Sequence, residues 1–217
     1  MDGKEETFQT WNKIADLYES KFMDLDIYDK TYDYFLHILN KKSPKLLEIG
    51  CGPGNISKYL LTKRDDIHLL GVDVAENMIE LARKNTLKFN EKLQRVNFKT
   101  LDCRNISEIE TTFDAIIAGF CIPYLSPKEV NEFIYDCTKL MKNSGCMYIS
   151  FVEGTPENSG FKTGSSGDRM YFYFHQLIDI QNILIQHEFK IVEIIEVQYS
   201  RSINETEIHT VVIATLK

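Results

Sequence analysis

Lys45-Leu46-Leu47-Glu48-Ile49-Gly50-Cys51-Gly52-Pro53-Gly54 is the stretch that decides the fold. Its first half is a short apolar run of strand type. Its second half sets glycines at alternate positions. Glycine accepts the left-handed backbone of a tight turn and lets the main chain approach a ligand closely. The helix expected next, over 55–63, offers unpaired N–H groups and a positive dipole end, which suit a carboxylate or a phosphate. A second apolar run, 67–72, leads into Asp73, about 20 residues beyond the turn, the interval at which an acid meets a ribose in a nucleoside-binding α/β unit. Alone, the glycines make a glycine-rich turn and the acid a helix cap. Together, on a strand and at this interval, they place a nucleoside-containing cofactor across two neighbouring strand ends.

The surrounding chain repeats the strand–helix pattern. A helix is expected over 76–88, a strand over 95–100, weak helical character near 107–111 and a strand over 113–119. Ser126, Pro127 and Glu129 open the next helix with a capping box. Val130, Phe133, Ile134, Cys137, Leu140 and Met141 form its buried face. Asn143-Ser144-Gly145 is expected to stop it before a strand at 146–152. Upstream, apolar residues at helical spacing predict helices over 7–24 and 28–39, the second closed by Pro44. Repeated strand–helix units imply a parallel sheet covered on both faces. The tail departs from this: after a helix at 175–187, runs at 189–200 and 207–216 are joined only by Ser202-Ile203-Asn204-Glu205. So short a link cannot hold a parallel crossover, so the two strands pair antiparallel.

Composition narrows the function classes. The 217 residues fit one domain with an appended cap, and 43% hydrophobic with 26% charged residues is ordinary for a globular chain. A formal charge of -7, with no Lys/Arg block, disfavours a nucleic-acid partner. No apolar run approaches membrane-spanning length, and the polar Met1–Glu6 start is unlike a secretory signal. Five cysteines without a Cys-x-x-Cys pair suggest neither a disulfide framework nor a zinc site; no metal is expected, and a reducing cytoplasm is the simplest location.

A dinucleotide-binding dehydrogenase wants Gly-x-Gly-x-x-Gly, whereas here the third glycine comes one residue early and position 55 is Asn. Leu47-Glu48-Ile49-Gly50-Cys51-Gly52-Pro53-Gly54 resembles instead the first motif of class I S-adenosylmethionine-dependent methyltransferases. Gly71-Val72-Asp73-Val74-Ala75-Glu76-Asn77-Met78 resembles the second motif, and Thr100-Leu101-Asp102-Cys103 the third. Phe113 to Phe120 is similar to the fourth strand, and Leu140 to Cys146 to the turn before the fifth. The resemblance spans nearly the whole chain. It implies an α/β, doubly wound, mostly parallel seven-stranded sheet with an antiparallel C-terminal hairpin strand and an N-terminal helical cap. On this reading one domain comprises a cap at 1–42 and a cofactor-binding core at 43–217, with an insertion at about 154–175.

The resemblance also implies S-adenosylmethionine as cofactor, S-adenosylhomocysteine as product, and roles by position. Gly50, Cys51, Gly52 and Gly54 face the methionine part, organised by Glu48. Asp73 holds the ribose. Val74 and Met78 offer apolar surface to the adenine, Asp102 accepts from its amino group, and Cys103 adds a backbone donor. Gly119 presents its carbonyl to the ammonium beside Phe120, and Trp11 and Tyr18 close a lid helix over the cofactor. The two aromatics serve equally as helix-face packing.

The acceptor is implied to be a small molecule, and no catalytic base is nameable from these motifs; the acceptor atom and oligomeric state are not read from them. Tyr124, Arg169, Tyr171, Tyr173 and His175 are the acceptor-side candidates. Arg169 ends the glycine-rich run 154–169, and Tyr171, Tyr173 and His175 follow it; loops of this length inside compact domains are usually functional or disordered. As a strand, 170–175 places Tyr171, Tyr173 and His175 on one face. A plain surface loop with an edge strand is the competing reading. Asp24, Asp26 and Asp29 suit a cationic acceptor or a solvated loop. Cys51, Cys103 and Cys121 lie on expected site loops, so thiol alkylation is expected to block cofactor binding. An aminopropyl transferase using decarboxylated S-adenosylmethionine and a non-catalytic S-adenosylmethionine-binding protein are the alternative functions.

Overall fold

The structure, a computed structural model, describes residues 3–90, 95–164, 166–202 and 205–217. The N-terminal region comprises α1 (Gly3–Lys13), α2 (Ala15–Phe22) and α3 (Asp29–Leu39). The helix expected over 7–24 is thus two helices, because Ile14 leaves helical geometry at φ -94°, ψ 12°.

The core alternates as the spacing predicts: β1 (Lys45–Ile49), α4 (Asn55–Lys63), β2 (His68–Asp73), α5 (Glu76–Asn90), β3 (Val96–Thr100), β4 (Phe113–Gly119), α6 (Pro127–Leu140) and β5 (Met141–Val152). The weak helical stretch is a 3-10 turn at Cys103–Glu108, ahead of its expected position. The Ser126–Glu129 capping box is present. The stop of α6 comes earlier than expected, at Leu140. Met141 already pairs with Phe113 of β4, and Lys142 reaches Asp114 Oδ1 at 2.9 Å, so Asn143-Ser144-Gly145 form an irregularity inside β5, with Ser144 at φ 61°.

The insertion is a short antiparallel hairpin, β6 (Gly160–Thr163) with β7 (Arg169–Phe172), standing apart from the main sheet. Then come α7 (Leu177–Gln186), β8 (Phe189–Ser202) and β9 (Glu205–Leu216), the last two antiparallel as expected. Residues 203–204 of their link lie outside the described residues.

The main sheet runs β3-β2-β1-β4-β5-β9-β8, seven strands, and β9 alone among the inner strands runs against its parallel neighbour β5. Successive side chains of a strand point to opposite faces. Leu47, Ile116 and Met147 therefore meet Phe133 and Ile134 of α6 and Leu184 of α7 on one face. Leu46, Ala115 and Tyr148 meet Phe35 of α3, Leu60 of α4 and Ile79 of α5 on the other. Covering on both faces explains why β1 and β4 are apolar almost throughout. All five parallel strands end at one edge. Because β9 is reversed, its first residues reach the same edge, with His209 opposite Val152 at the end of β5.

Candidate functional site

The turn after β1 is held by the neighbouring strand. The N–H groups of Gly50 and Cys51 both donate to Val72 O, at 2.8 and 3.0 Å. Gly52 sits at φ +52°, and a Cβ there meets nothing nearer than Tyr18 at 3.8 Å, so the bare backbone faces open space. Gly54 is needed for packing: at φ +84°, a Cβ would stand 3.1 Å from Ala82 Cα of α5. Asp73 braces the turn from β2, accepting from Gly52 N–H and Ala75 N–H at 2.9 Å each. Burial pushes the Asp73 carboxyl up, against the pull of those donors. Glu48 lies behind the turn, 1% exposed, where Ser57 Oγ donates to its Oε2. Burial raises its carboxyl to about 8.

Past β3, Asp102 Oδ1 accepts from the Arg104 main chain at 3.0 Å and from its Nη1 at 3.1 Å. Arg104 also donates to Glu129 Oε1 and to Tyr124 O, both at 2.6 Å. Burial by itself raises Glu129, but the Ser126 N–H and the Arg104 guanidinium outweigh it and hold the carboxyl near about 2. This residue, read in the sequence only as a helix cap, therefore also steadies the loop that carries Asp102. At the end of β4, Phe120 adopts the left-handed region, φ 54°, and its N–H donates to Ser150 O at 3.1 Å. A non-glycine residue in that region costs roughly 1–2 kcal/mol and is held only where its surroundings fix it.

The cap closes over these strand ends. Trp11 packs edge-on against Tyr18 and Tyr124, with centroids 5.4 and 5.6 Å apart. Asn12 Oδ1 accepts from Asn77 N–H at 2.9 Å, tying α1 to the start of α5. From the other side the β6–β7 hairpin grips α1: Thr10 Oγ1 donates to Arg169 O at 2.7 Å, and Tyr171 N–H donates to Thr7 Oγ1 at 2.9 Å. Arg169 adds a two-pronged pair with Glu6 at 2.9 and 3.0 Å.

Beneath the cap lies a cavity of about 340 Å³. Its wall includes Trp11, Tyr18, Gly50, Gly52, Asp73, Val74, Met78, Asp102, Cys103, Gly119, Phe120 and Tyr124, all expected from the sequence. Glu48, Cys51 and Gly54 support this wall from behind rather than line it. The four candidates from the insertion are also off the wall. Strand β7 ends at Phe172, and Phe172, not Tyr171, turns to the cavity. Tyr171 instead packs against Phe161 and Tyr173, centroids 5.3 and 4.8 Å away, while Tyr173 N–H donates to Pro123 O at 2.7 Å. His175 is 4% exposed, with Nε2 3.1 Å from Ile122 O, and burial lowers its pKa.

Asp24 and Asp26 are exposed, and Asp24 pairs with Lys58 at 3.0 Å. The expectation for alkylation narrows to Cys103, since Cys51 and Cys121 are buried. Burial pushes the Cys51 thiol well up; the Cys103 contact, then burial, does the same to Cys121.

The sequence reading missed the far end of the wall. Tyr28, Tyr32, Tyr199, Glu207 and His209 gather there from α3, β8 and β9. The available signal was the alternation in Glu207-Ile208-His209, which puts the acid and the imidazole on one face of a strand that begins at the site edge. Among the described residues, no group of His, Cys, Asp and Glu is placed to hold a metal ion, and no helix is long and apolar enough to cross a membrane.

A glycine turn at one strand end, acids at the ends of β2 and β3, and a small aromatic-lidded cavity between them are brought together as the sequence spacing led one to expect. Residues 46–145 match the family model described as a methyltransferase domain. The putative methyltransferase 235L of Invertebrate iridescent virus 6 is 27% identical over 143 residues, which cover 66% of this chain and 49% of that protein. The malonyl-[acyl-carrier protein] O-methyltransferase of Acetivibrio thermocellus is 34% identical over 115 residues, covering 53% of this chain and 38% of its own. The chain thus spans half or less of the length of these two relatives. In three dimensions it resembles the magnesium protoporphyrin IX methyltransferase of Synechocystis PCC 6803 with bound S-adenosylmethionine. The TM-score is 0.74 at 17% identity, covering 100% of this chain and 98% of that one. Residues 46–145 are thus similar to a methyltransferase domain, and the fold is the Rossmann-like fold of S-adenosylmethionine-dependent methyltransferases.

Proposed function

We propose that this protein transfers a methyl group from S-adenosylmethionine to a small molecule, with residues 1–42 acting as a cap over the core formed by 43–217. The observation that carries the reading is the joint placement of Gly50, Gly52, Asp73, Asp102 and Gly119 around one capped cavity. Its volume falls within the range of small-molecule sites.

The residues fit the cofactor. Gly52 leaves room for close main-chain approach, and Asp73, whose burial disfavours its charge, gains from hydroxyl donors such as those of a ribose. Asp102, steadied by Arg104, suits an adenine amino group, with Val74 and Met78 supplying apolar surface. Gly119 lines the cavity, where its carbonyl would suit an ammonium. When bound, S-adenosylmethionine supplies an electrophilic methyl on a positively charged sulfur. The protein's task is to align a nucleophile with that methyl and exclude water. Trp11, Tyr18 and Tyr124 provide the exclusion.

Arg104 is engaged by Asp102, Glu129 and Tyr124, so the described wall favours an acceptor without a strong negative charge. An aminopropyl transferase needs several acids around a polyamine. The acceptor end of this wall has Glu207 as its one carboxylate among the described residues, which disfavours that alternative. Titration calorimetry with S-adenosylmethionine and S-adenosylhomocysteine tests the cofactor reading, and binding of neither overturns it. Formation of S-adenosylhomocysteine on addition of an ultrafiltered metabolite extract then separates an enzyme from a binding protein.

A further inference from the structure

The strand ends divide the cavity. The glycine turn and the acids lie over β3, β2, β1 and β4. The ends of β5, β9 and β8 remain beside them, and there a polar chain crosses between elements that are distant in sequence. Tyr28 is the residue before α3, and its hydroxyl stands 2.6 Å from His209 Nδ1 on β9. The two ring planes are parallel to within 5°, with centroids 6.0 Å apart. The other nitrogen, Nε2, lies 3.6 Å from Glu207 Oε2. A ring proton on Nε2 is favoured by that carboxylate, and it leaves Nδ1 as the acceptor of the Tyr28 hydroxyl proton. Tyr199 stacks on the imidazole, centroids 4.9 Å apart at 17°, and Phe120 meets it edge-on at 4.9 Å.

We propose that Tyr28, His209 and Glu207 form the acceptor-side proton relay of this site. The proposal rests on the methyl-transfer reading above. It implies an acceptor that is a neutral protic nucleophile, a hydroxyl or an amine that must lose a proton as it attacks, carried on an apolar body that suits the surrounding aromatic wall. In the step, the acceptor's proton passes to Tyr28 Oη while the Tyr28 proton passes to His209 Nδ1. The electron pair left on the acceptor forms the new bond to the methyl carbon. The carbon–sulfur pair stays on sulfur, which leaves as a neutral thioether, and Glu207 balances the imidazolium until its proton returns to solvent. Burial pushes the Tyr28 phenol well up, so it stays protonated at rest and conducts a proton rather than storing negative charge.

The titratable groups around His209 come from every element packed on it. Tyr28 comes from the start of α3, Tyr199 from β8 and Glu207 from β9, with Tyr18 and Tyr148 behind Tyr28. Glu153, just past β5, accepts from Thr210 on the adjoining position of β9. Of these, Glu207 is the anion within ion-pair distance of the imidazole.

The decisive test needs no acceptor. Nitrogen-15 spectra of histidine-labelled protein saturated with S-adenosylhomocysteine report the tautomer of His209. The expected result is a proton on Nε2 with Nδ1 accepting, a downfield change at Nδ1 in Tyr28→Phe, and tautomer mixing in Glu207→Gln. A proton on Nδ1 in the unsubstituted protein overturns the relay. The second test is kinetic, with methyl-labelled S-adenosylmethionine and ultrafiltered metabolite extract as the probes. General-base removal costs about 100-fold or more, so His209→Gln is expected to lose that much label transfer while binding S-adenosylmethionine within about threefold of the parent. The parent rate rises by about tenfold per pH unit until His209 is neutral, and that limb disappears in His209→Gln. A His209→Gln rate and pH profile equal to the parent's overturn the proposal. Because His209 is 6% exposed, Tyr28→Phe provides a milder variant with the same expected pH signature. Failure of the methyl-transfer reading is recognised separately, as absence of S-adenosylmethionine binding by calorimetry.

Discussion

The two halves of the cavity are built by different means. Over β1 to β4, the groups facing the site are held within consecutive strand–helix units: Asp73 by Ala75 and Gly52, Asp102 by Arg104, Gly50 by the strand that follows it. Over β5, β9 and β8, the facing groups are brought together by long-range pairing. Tyr28 and His209 are 181 residues apart, and His209 is placed by its register with Val152 and Val197. A locally determined half suits a cofactor that the whole family shares. A half determined by tertiary register can change acceptor without disturbing the donor site.

That difference is open to attack by substitution. Asp73→Ala removes two brace points from the turn and the acid proposed for the ribose. Two charge-assisted hydrogen bonds are worth about 3 kcal/mol, so S-adenosylmethionine affinity is expected to fall about 100-fold by calorimetry, while acceptor-half variants leave it nearly unchanged. Gly119→Ala drives a Cβ to 2.5 Å from Ile56 Cδ1. Overpacking of this kind costs about 1–3 kcal/mol, to be read as a lowered urea midpoint.

At the opposite sheet edge, far from both halves, Asp114 is 5% exposed and accepts from Lys45 N–H at 2.9 Å. Burial opposes its charge, but Lys41, the Lys45 main chain and Lys142 outweigh it and hold the carboxyl at about 2. A carboxyl depressed by folding stabilises the native state above its unfolded value of about 4, and that contribution is lost as pH falls through the folded value. Asp114→Asn is therefore expected to cost about 1–2 kcal/mol at neutral pH, discounted for the partly exposed lysines. It should also flatten acid unfolding between about pH 4 and 2, without altering cofactor affinity.

Trp11→Ala opens the lid. Losing its two aromatic pairs, with Tyr18 and Tyr124, costs about 1.4 kcal/mol at the site, about tenfold in S-adenosylmethionine dissociation constant. Arg169→Ala breaks an exposed pair with Glu6 and should change stability by less than about 1 kcal/mol. An unchanged acceptor rate in that variant fits its place outside the cavity.

The same division explains what was legible in the sequence. The strands at 45–49 and 113–119 and the helix at 55–63 are readable to the residue, because apolar runs, glycine turns and caps are local signals. Asp73 and Asp102 are legible for the same reason. Tyr171, Tyr173 and His175 were candidates because a strand through 175 was expected. That strand ends at Phe172, where contacts to α1 and to Pro123 take over from local alternation. His209 carried no local signal beyond the alternation of Glu207-Ile208-His209: its role depends on where β9 sits against β5, which only tertiary pairing decides.

The most direct measurement is a crystal structure with bound S-adenosylhomocysteine. The account predicts the adenine beside Asp102, the ribose hydroxyls on Asp73, and the sulfur facing the Tyr28–His209 end past Phe120. A sulfur that faces away from Tyr28 and His209, or a nucleoside lying over β5 and β9, contradicts it.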